Sequence, residues 1–278
     1  ASSEPDLMTL GGGVTTLYYT GTGIALNLRT TSLNIGKFLL QGTTSATGGV
    51  KMGDKSGGGA TSAQDYHFYD MAITGFRKTG GYGLIYDPQS NNSFSVFDRV
   101  SFNWNYDNVV ATFTTGFSTV QRYNNCKFQF ATRYGFWSDG GTVHTFEFFS
   151  PLFQHNGADA IKFKEGSGAY TMYTPYFETN NTTTAGRTVG FSVGGPQYTP
   201  QRSSCMYNPT FISNAGQTVS ELFMDNVAGF HMFGGLIQND SSVARYMLEL
   251  GDSQSNGVSR NVTLDGFELV RNAGIAST

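Results

Sequence analysis

Apolar and polar positions alternate with period two in short runs along most of the chain, as in Gly135 to Asp139 and Ala160 to Phe163, and no window of useful length shows helical spacing. These runs predict strands. They also recur as copies of one another: Asp70 to Ile73, Asn125 to Phe128, Ser150 to Phe153, Thr174 to Phe177, Asn208 to Phe211 and Gly234 to Ile237 each begin near a turn residue and end on an apolar anchor. With Ser101 and Phe267 as weaker members, the anchors stand at 73, 101, 128, 153, 177, 211, 237 and 267. Five residues before them come Phe68, Val96, Tyr123, Phe148, Met172, Met206, Met232 and Val262, an unbroken apolar column. Three residues after several anchors stand Asn156, Asn180, Asn214 and Asp240. Asn and Asp tolerate left-handed backbone, so this column predicts a repeated corner.

A strand, turn, strand, turn unit that cannot bury its apolar face alone must stack on its neighbours. The expected fold is therefore all-β, a right-handed single-stranded parallel β-helix of about 9–10 rungs of 24–34 residues. An antiparallel jelly roll is the alternative. The whole chain, 1–278, reads as one domain: a lead-in over 1–10, irregular first rungs over 11–52, a Gly-rich insertion over 53–64, regular rungs over 66–270 and a tail over 271–278.

Composition narrows the class. Of 278 residues, 36 are Gly, 23 Phe and 15 Tyr, while only 13% are charged, so aromatic burial rather than surface charge must carry the fold. Disorder is excluded, since it pairs few aromatics with high charge. No apolar run approaches the ~20 residues that span a bilayer, and a net charge of −3 with scattered Lys and Arg offers no basic stripe for nucleic acid. Neither membrane insertion nor nucleic-acid binding is expected. The start at Ala1-Ser2-Ser3, without Met or an apolar signal core, is expected of a processed chain or a fragment. Cys126 and Cys205 fall three rungs apart, ~14 Å at the stacking distance, too far for a disulfide, so both are expected to be free.

The stretch Leu17 to Leu26, the strand Ile35 to Gly42 and the repeated corner tripeptides resemble the right-handed β-helix domains of bacteriophage tailspikes and capsule depolymerases, within the pectate-lyase-like superfamily. The resemblance covers roughly residues 11 to 270. It implies a homotrimer outside the cell, on a virion tail, that binds and cleaves a bacterial surface polysaccharide (capsule, exopolysaccharide or O-antigen) by glycoside hydrolysis or by lyase chemistry. Its non-enzymatic alternative is a fibre domain that only binds a host receptor. The same scaffold carries unrelated chemistries, so residues must decide.

Stacked rungs make equivalent residues spatial neighbours, which turns columns into candidate sites. One column places Arg122 beside Glu147: either a plain surface ion pair, or an acid or nucleophile next to a cation that orients anionic sugar. A second carries Gln129, Gln154, Glu178, Ile212, Gln238 and Glu268, partners for sugar hydroxyls or a ladder that holds strands together. A third carries Trp137, Lys162, Ser192, Phe223 and Glu249, with Asp87, Asp139, Lys164 and Asp225 two positions along. Its Trp reads as a sugar platform or as a subunit contact. Glycosidases need two carboxyl groups, for which Glu147, Asp139 and Asp159 are the catalytic candidates, while Trp137, Arg122, Lys162, Lys164, Glu178 and Gln154 would hold sugar. A lyase would need a base such as Lys162, His144 or His155. Leu250 to Ser255 imitates an esterase Ser block but has no downstream His. Four scattered His and two Cys show no zinc spacing, so no metal and no cofactor are expected.

Overall fold

A computed structural model describes residues 15–29, 31–53, 62–140, 144–164, 168–191, 201–213, 218–225, 227–239, 246–251 and 259–271. Among them are strands and no helix, and every recorded strand pair is parallel, which makes the chain a β-solenoid. One sheet stacks nine described strands, from Ile24–Leu28 to Tyr246–Leu250; we call it the front. The other strands form a sheet of nineteen that bends around the remaining sides. The jelly-roll alternative falls, because it requires antiparallel neighbours.

Two inward columns build the core. On the first flank, Phe68, Phe97, Tyr123, Phe148, Met172, Met206, Met232 and Leu264 follow one another in register. On the second flank the column is Ile73, Phe102, Phe128, Phe153, Phe177, Phe211, Ile237 and Leu269. By register the columns pass through Phe102 rather than Ser101 and Leu269 rather than Phe267, with Phe97 and Leu264 in the places of Val96 and Val262, but at this last rung Leu269 is exposed while Phe267 and Val262 still pack against the core. The offset arose because Arg99 is no recognisable turn residue, yet it occupies the same left-handed corner as Asp70, Asn125, Ser150, Thr174 and Asn208, all with φ of 47 to 51°. Gly234 and Gly266 hold that corner further along.

The rung height sets the ring geometry. Phe102, Phe128, Phe153, Phe177 and Phe211 stack with centroids 5.4, 4.5, 5.2 and 4.6 Å apart, close to the ~4.8 Å between strands. Phe68, Phe97, Tyr123 and Phe148 form a parallel stack at 4.8, 4.5 and 5.1 Å. Each such pair adds about 0.5–1.5 kcal/mol beyond burial, so the aromatic excess does the work that charge does elsewhere. Tyr86 and Tyr123 share a hydrogen bond between their hydroxyls inside the core, and burial pushes both phenols up.

The Asn corner exists for a different reason than expected. Left-handed backbone falls one residue earlier, at Trp104, Phe130, His155 and Thr179. The Asn side chains instead bond from rung to rung. Asn105, Asn156 and Asn180 are buried and donate to the carbonyls of Ile73, Phe128 and Phe153, one rung back. Asn156 Oδ1 accepts from Ala131 N, and Asn180 Oδ1 from Asn156 N. Ala131 breaks the column, and there Asn108 donates to Gln129 O in its place. Asn214 and Asp240 lie outside the described residues.

The connections that follow the front strands differ in length: 53–61, 192–200 and 251–259 are longer than 113–116, 140–143 and 164–167. The Gly-rich insertion is one of these, and its residues 54–61 lie outside the described ones. Cys126 and Cys205 are both free, as their separation required.

Candidate functional site

The front's outward lane carries the densest chemistry. By register it runs Lys51, Ile85, Val110, Trp137, Lys162, Gly190, Phe223, Glu249. Gly190 takes the place expected of Ser192, which lies outside the described residues. The lane two positions along holds Thr112 against Asp139, with Lys164 next. Continuing the register places Asp87 before Thr112.

Trp137 is not a bare platform. The Arg133 guanidinium lies 4.8 Å from its ring centroid and also covers Tyr134 at 4.6 Å and Tyr106 at 5.2 Å. Arg133 Nε donates to Asp107 Oδ1 at 2.9 Å, and a second guanidinium nitrogen reaches Oδ2. Burial raises the Asp107 carboxyl above its ordinary value, against the pull of Arg133 and of Tyr134 N–H. Lys162 Nζ donates to the Tyr134 hydroxyl at 3.1 Å. The result is a half-buried mosaic of three aromatic rings and two cations, with Trp137 Nε1 buried and without a hydrogen-bond partner among the described residues.

Further along the lane, the Arg187 guanidinium sits 3.7 Å over the Phe223 ring and faces Glu249 at 3.4 Å. Gly190 leaves the room that the Arg187 stem crosses; a Cβ there would meet Arg187 Cδ at 4.0 Å. Beside it, the Thr188 hydroxyl donates to the buried Glu221 at 2.6 Å. Lys164 pairs with Asp139 at 3.3 Å and Lys51 with Asp87 at 2.8 Å.

The remaining candidates are dispersed. Arg122 and Glu147 do meet, through Nε at 2.9 Å and Nη2 at 2.7 Å on one carboxylate oxygen. They belong to the first flank, where Glu147 stacks between Arg122 and Thr171, whereas Asp139 stacks between Thr112 and Lys164 on the front. Glu147 and Asp139 therefore share no lane. Asp159 is buried at a corner, where it accepts from Arg187 N at 2.8 Å and Asn181 Nδ2 at 3.2 Å. Burial holds its carboxyl above the usual range. Gln129, Gln154 and Glu178 form a side-chain ladder at 2.7 and 2.8 Å on the second flank. Glu268 does not continue it, since it pairs with Leu236 and the lane passes to Val270. His155 stacks on Phe130 at 5.2 Å, while the His144 side chain and residues 252–258 lie outside the description.

Column reasoning missed Arg133 and Tyr134, which occupy a corner, and Arg187, which stands at the start of a strand where the register with Thr218–Met224 shifts. It also missed an outward ladder on the first flank, Phe149, Tyr173, Tyr207 and Phe233, stacked at 4.8, 5.0 and 5.5 Å. Its signal was present: each member lies one residue after the Phe148, Met172, Met206, Met232 column. Such rings face one another and turn their edges to solvent.

No protein-family profile and no curated protein sequence matches the chain. The β-solenoid architecture is compatible with proteins that bind or depolymerise polysaccharides.

Proposed function

We propose that the protein binds a bacterial surface polysaccharide along the front and cleaves it by glycoside hydrolysis, working outside the cell as a homotrimeric tailspike-type depolymerase. The observation that carries this reading is the front lane itself. In a chain with only 13% charged residues, Lys51, Arg133, Lys162, Lys164 and Arg187 converge with Trp137 and Tyr134 along one strip parallel to the stacking direction. A linear glycan needs such a strip: ring faces for C–H contacts, and cations for hydroxyls or carboxylates.

Within the strip, Asp87 and Asp139 stand two strands apart, about 9.6 Å at the strand spacing. That lies just beyond the ~6.5–9.5 Å used by inverting glycosidases, with Thr112 between the two. Asp139 and Asp87 are the acid and base pair of this reading, replacing the pairing of Asp139 with Glu147.

Incubation with capsular polysaccharides and lipopolysaccharides from many strains should release new reducing ends. Unsaturated-uronate absorbance in place of plain hydrolysis would move the reading to a lyase. Binding without either product would move it to adhesion, a second reading favoured by one fact: Asp87, Asp139 and Glu147 are already engaged by Lys51, Lys164 and Arg122.

A further inference from the structure

Around the corner from the front, an open cleft of about 360 Å³ is lined by Asp65, Tyr66, His67, Phe94, Val96 and Asp98. His67 and Val96 are neighbours on adjacent strands, and Asp98 lies two residues on. His67 Nε2 meets Asp98 Oδ2 at 3.2 Å, and Asn124 Nδ2 fixes the other Asp98 oxygen at 2.7 Å. At the rim, Phe94 is 56% exposed and takes φ of 56°.

Left-handed backbone is the rule at the corners of this fold, Trp104 and Phe130 included, so what marks Phe94 is its exposed ring. Equivalent corners use Asp65 and Val120 with the same sign of φ, so Phe is not a requirement of the turn. The lining also differs in charge from the front: Asp65 and Asp98 face the cleft with only His67 opposing them. The Arg99 guanidinium, which acts on Asp98 electrostatically, is paired with Asp70, and that of Arg122, beside Val96, is paired with Glu147.

We infer that this cleft is a second saccharide site, which takes a neutral pyranose against the Phe94 ring with its hydroxyls on Asp65 and the His67–Asp98 pair. It rests on the glycan reading of the front but is separate from that surface. The acidic lining excludes uronates, the ring supplies the C–H contact, and the preset His67–Asp98 pair offers both a donor and an acceptor.

The test titrates methyl pyranosides of glucose, galactose, mannose, rhamnose and N-acetylglucosamine, and methyl glucuronoside, against the whole chain by NMR. The variants are Phe94→Asn, which suits left-handed backbone and so preserves the corner, and Phe94→Tyr, which keeps the ring. The expected result is binding of at least one neutral glycoside with shifts at His67, a Kd weakened about tenfold in Phe94→Asn and restored in Phe94→Tyr, and no glucuronoside binding. Unchanged affinity in Phe94→Asn, no neutral glycoside bound, or a preference for glucuronoside each overturns the proposal. Polymer retention by Arg133→Ala reports on the front independently, so either site can fail without the other.

Discussion

Asn156→Ala is the sharpest perturbation of this fold. Asn156 is fully buried and serves four partners: its Nδ2 donates to Phe128 O at 3.0 Å and to Asn180 Oδ1 at 2.8 Å, and its Oδ1 accepts from Ala131 N at 3.1 Å and Asn108 Nδ2 at 3.5 Å. Alanine leaves a backbone carbonyl and a backbone N–H buried without that partner, while Asn180 Oδ1 keeps the Asn156 N–H. Each orphaned group costs about 1–3 kcal/mol, and partial relaxation keeps the sum near about 3–5 kcal/mol. The exposed analogue is Gln154→Ala, which breaks the outer ladder with Gln129 and Glu178. Water replaces those bonds, so its cost stays below about 1 kcal/mol. Urea unfolding followed by tryptophan fluorescence compares the two, with Trp104 reporting close to the same corner. If Asn156→Ala costs less than about 1 kcal/mol, or no more than Gln154→Ala, the ladder is not what holds the corner.

Three further outcomes follow from the geometry. Asp139→Asn should abolish release of reducing ends while polysaccharide binding persists; retained cleavage would remove Asp139 from the chemistry. Asp159→Asn should stabilise the protein at neutral pH: burial raises the folded carboxyl's pKa, so the wild type loses stability as pH rises from the unfolded value through the folded one, and the variant's advantage should vanish in acid. Thermal unfolding from pH 3 to 8 reads this, and an advantage independent of pH would refute it. Native protein should label slowly at Cys126, which is buried with its thiol pushed up to about 12, while Cys205 reacts more readily and both react after denaturation. A disulfide found in the unreduced chain would contradict the rung assignment.

The architecture was legible because burial in a solenoid is periodic. Phe128, Phe153, Phe177 and Phe211 repeat at 24 to 34 residues and stack as the spacing predicts. Legibility failed where corner chemistry was atypical, as at Arg99, which takes left-handed backbone although its residue type does not favour it. The Asn column was visible but its purpose was not, since a side chain that bonds one rung back leaves no local pattern. The site was read in part. Trp137, Lys162, Asp139 and Lys164 lie on the front as their columns required, whereas Arg133 reaches it from a corner and Arg187 from a strand start where the register shifts. Register locates strand residues; it says nothing of long side chains that fold over from a corner.

The uniform left-handed corner from Asp70 to Gly266 makes each rung an interchangeable unit of length. A segment such as 125–149, cut from one corner to the next, begins and ends in the same backbone state. Its removal or duplication would preserve every inward column and shift the outer lanes by one strand spacing, about 4.8 Å. The front strip can therefore be lengthened or shortened in whole steps, like a ruler, while the core that supports it keeps the same cross-section.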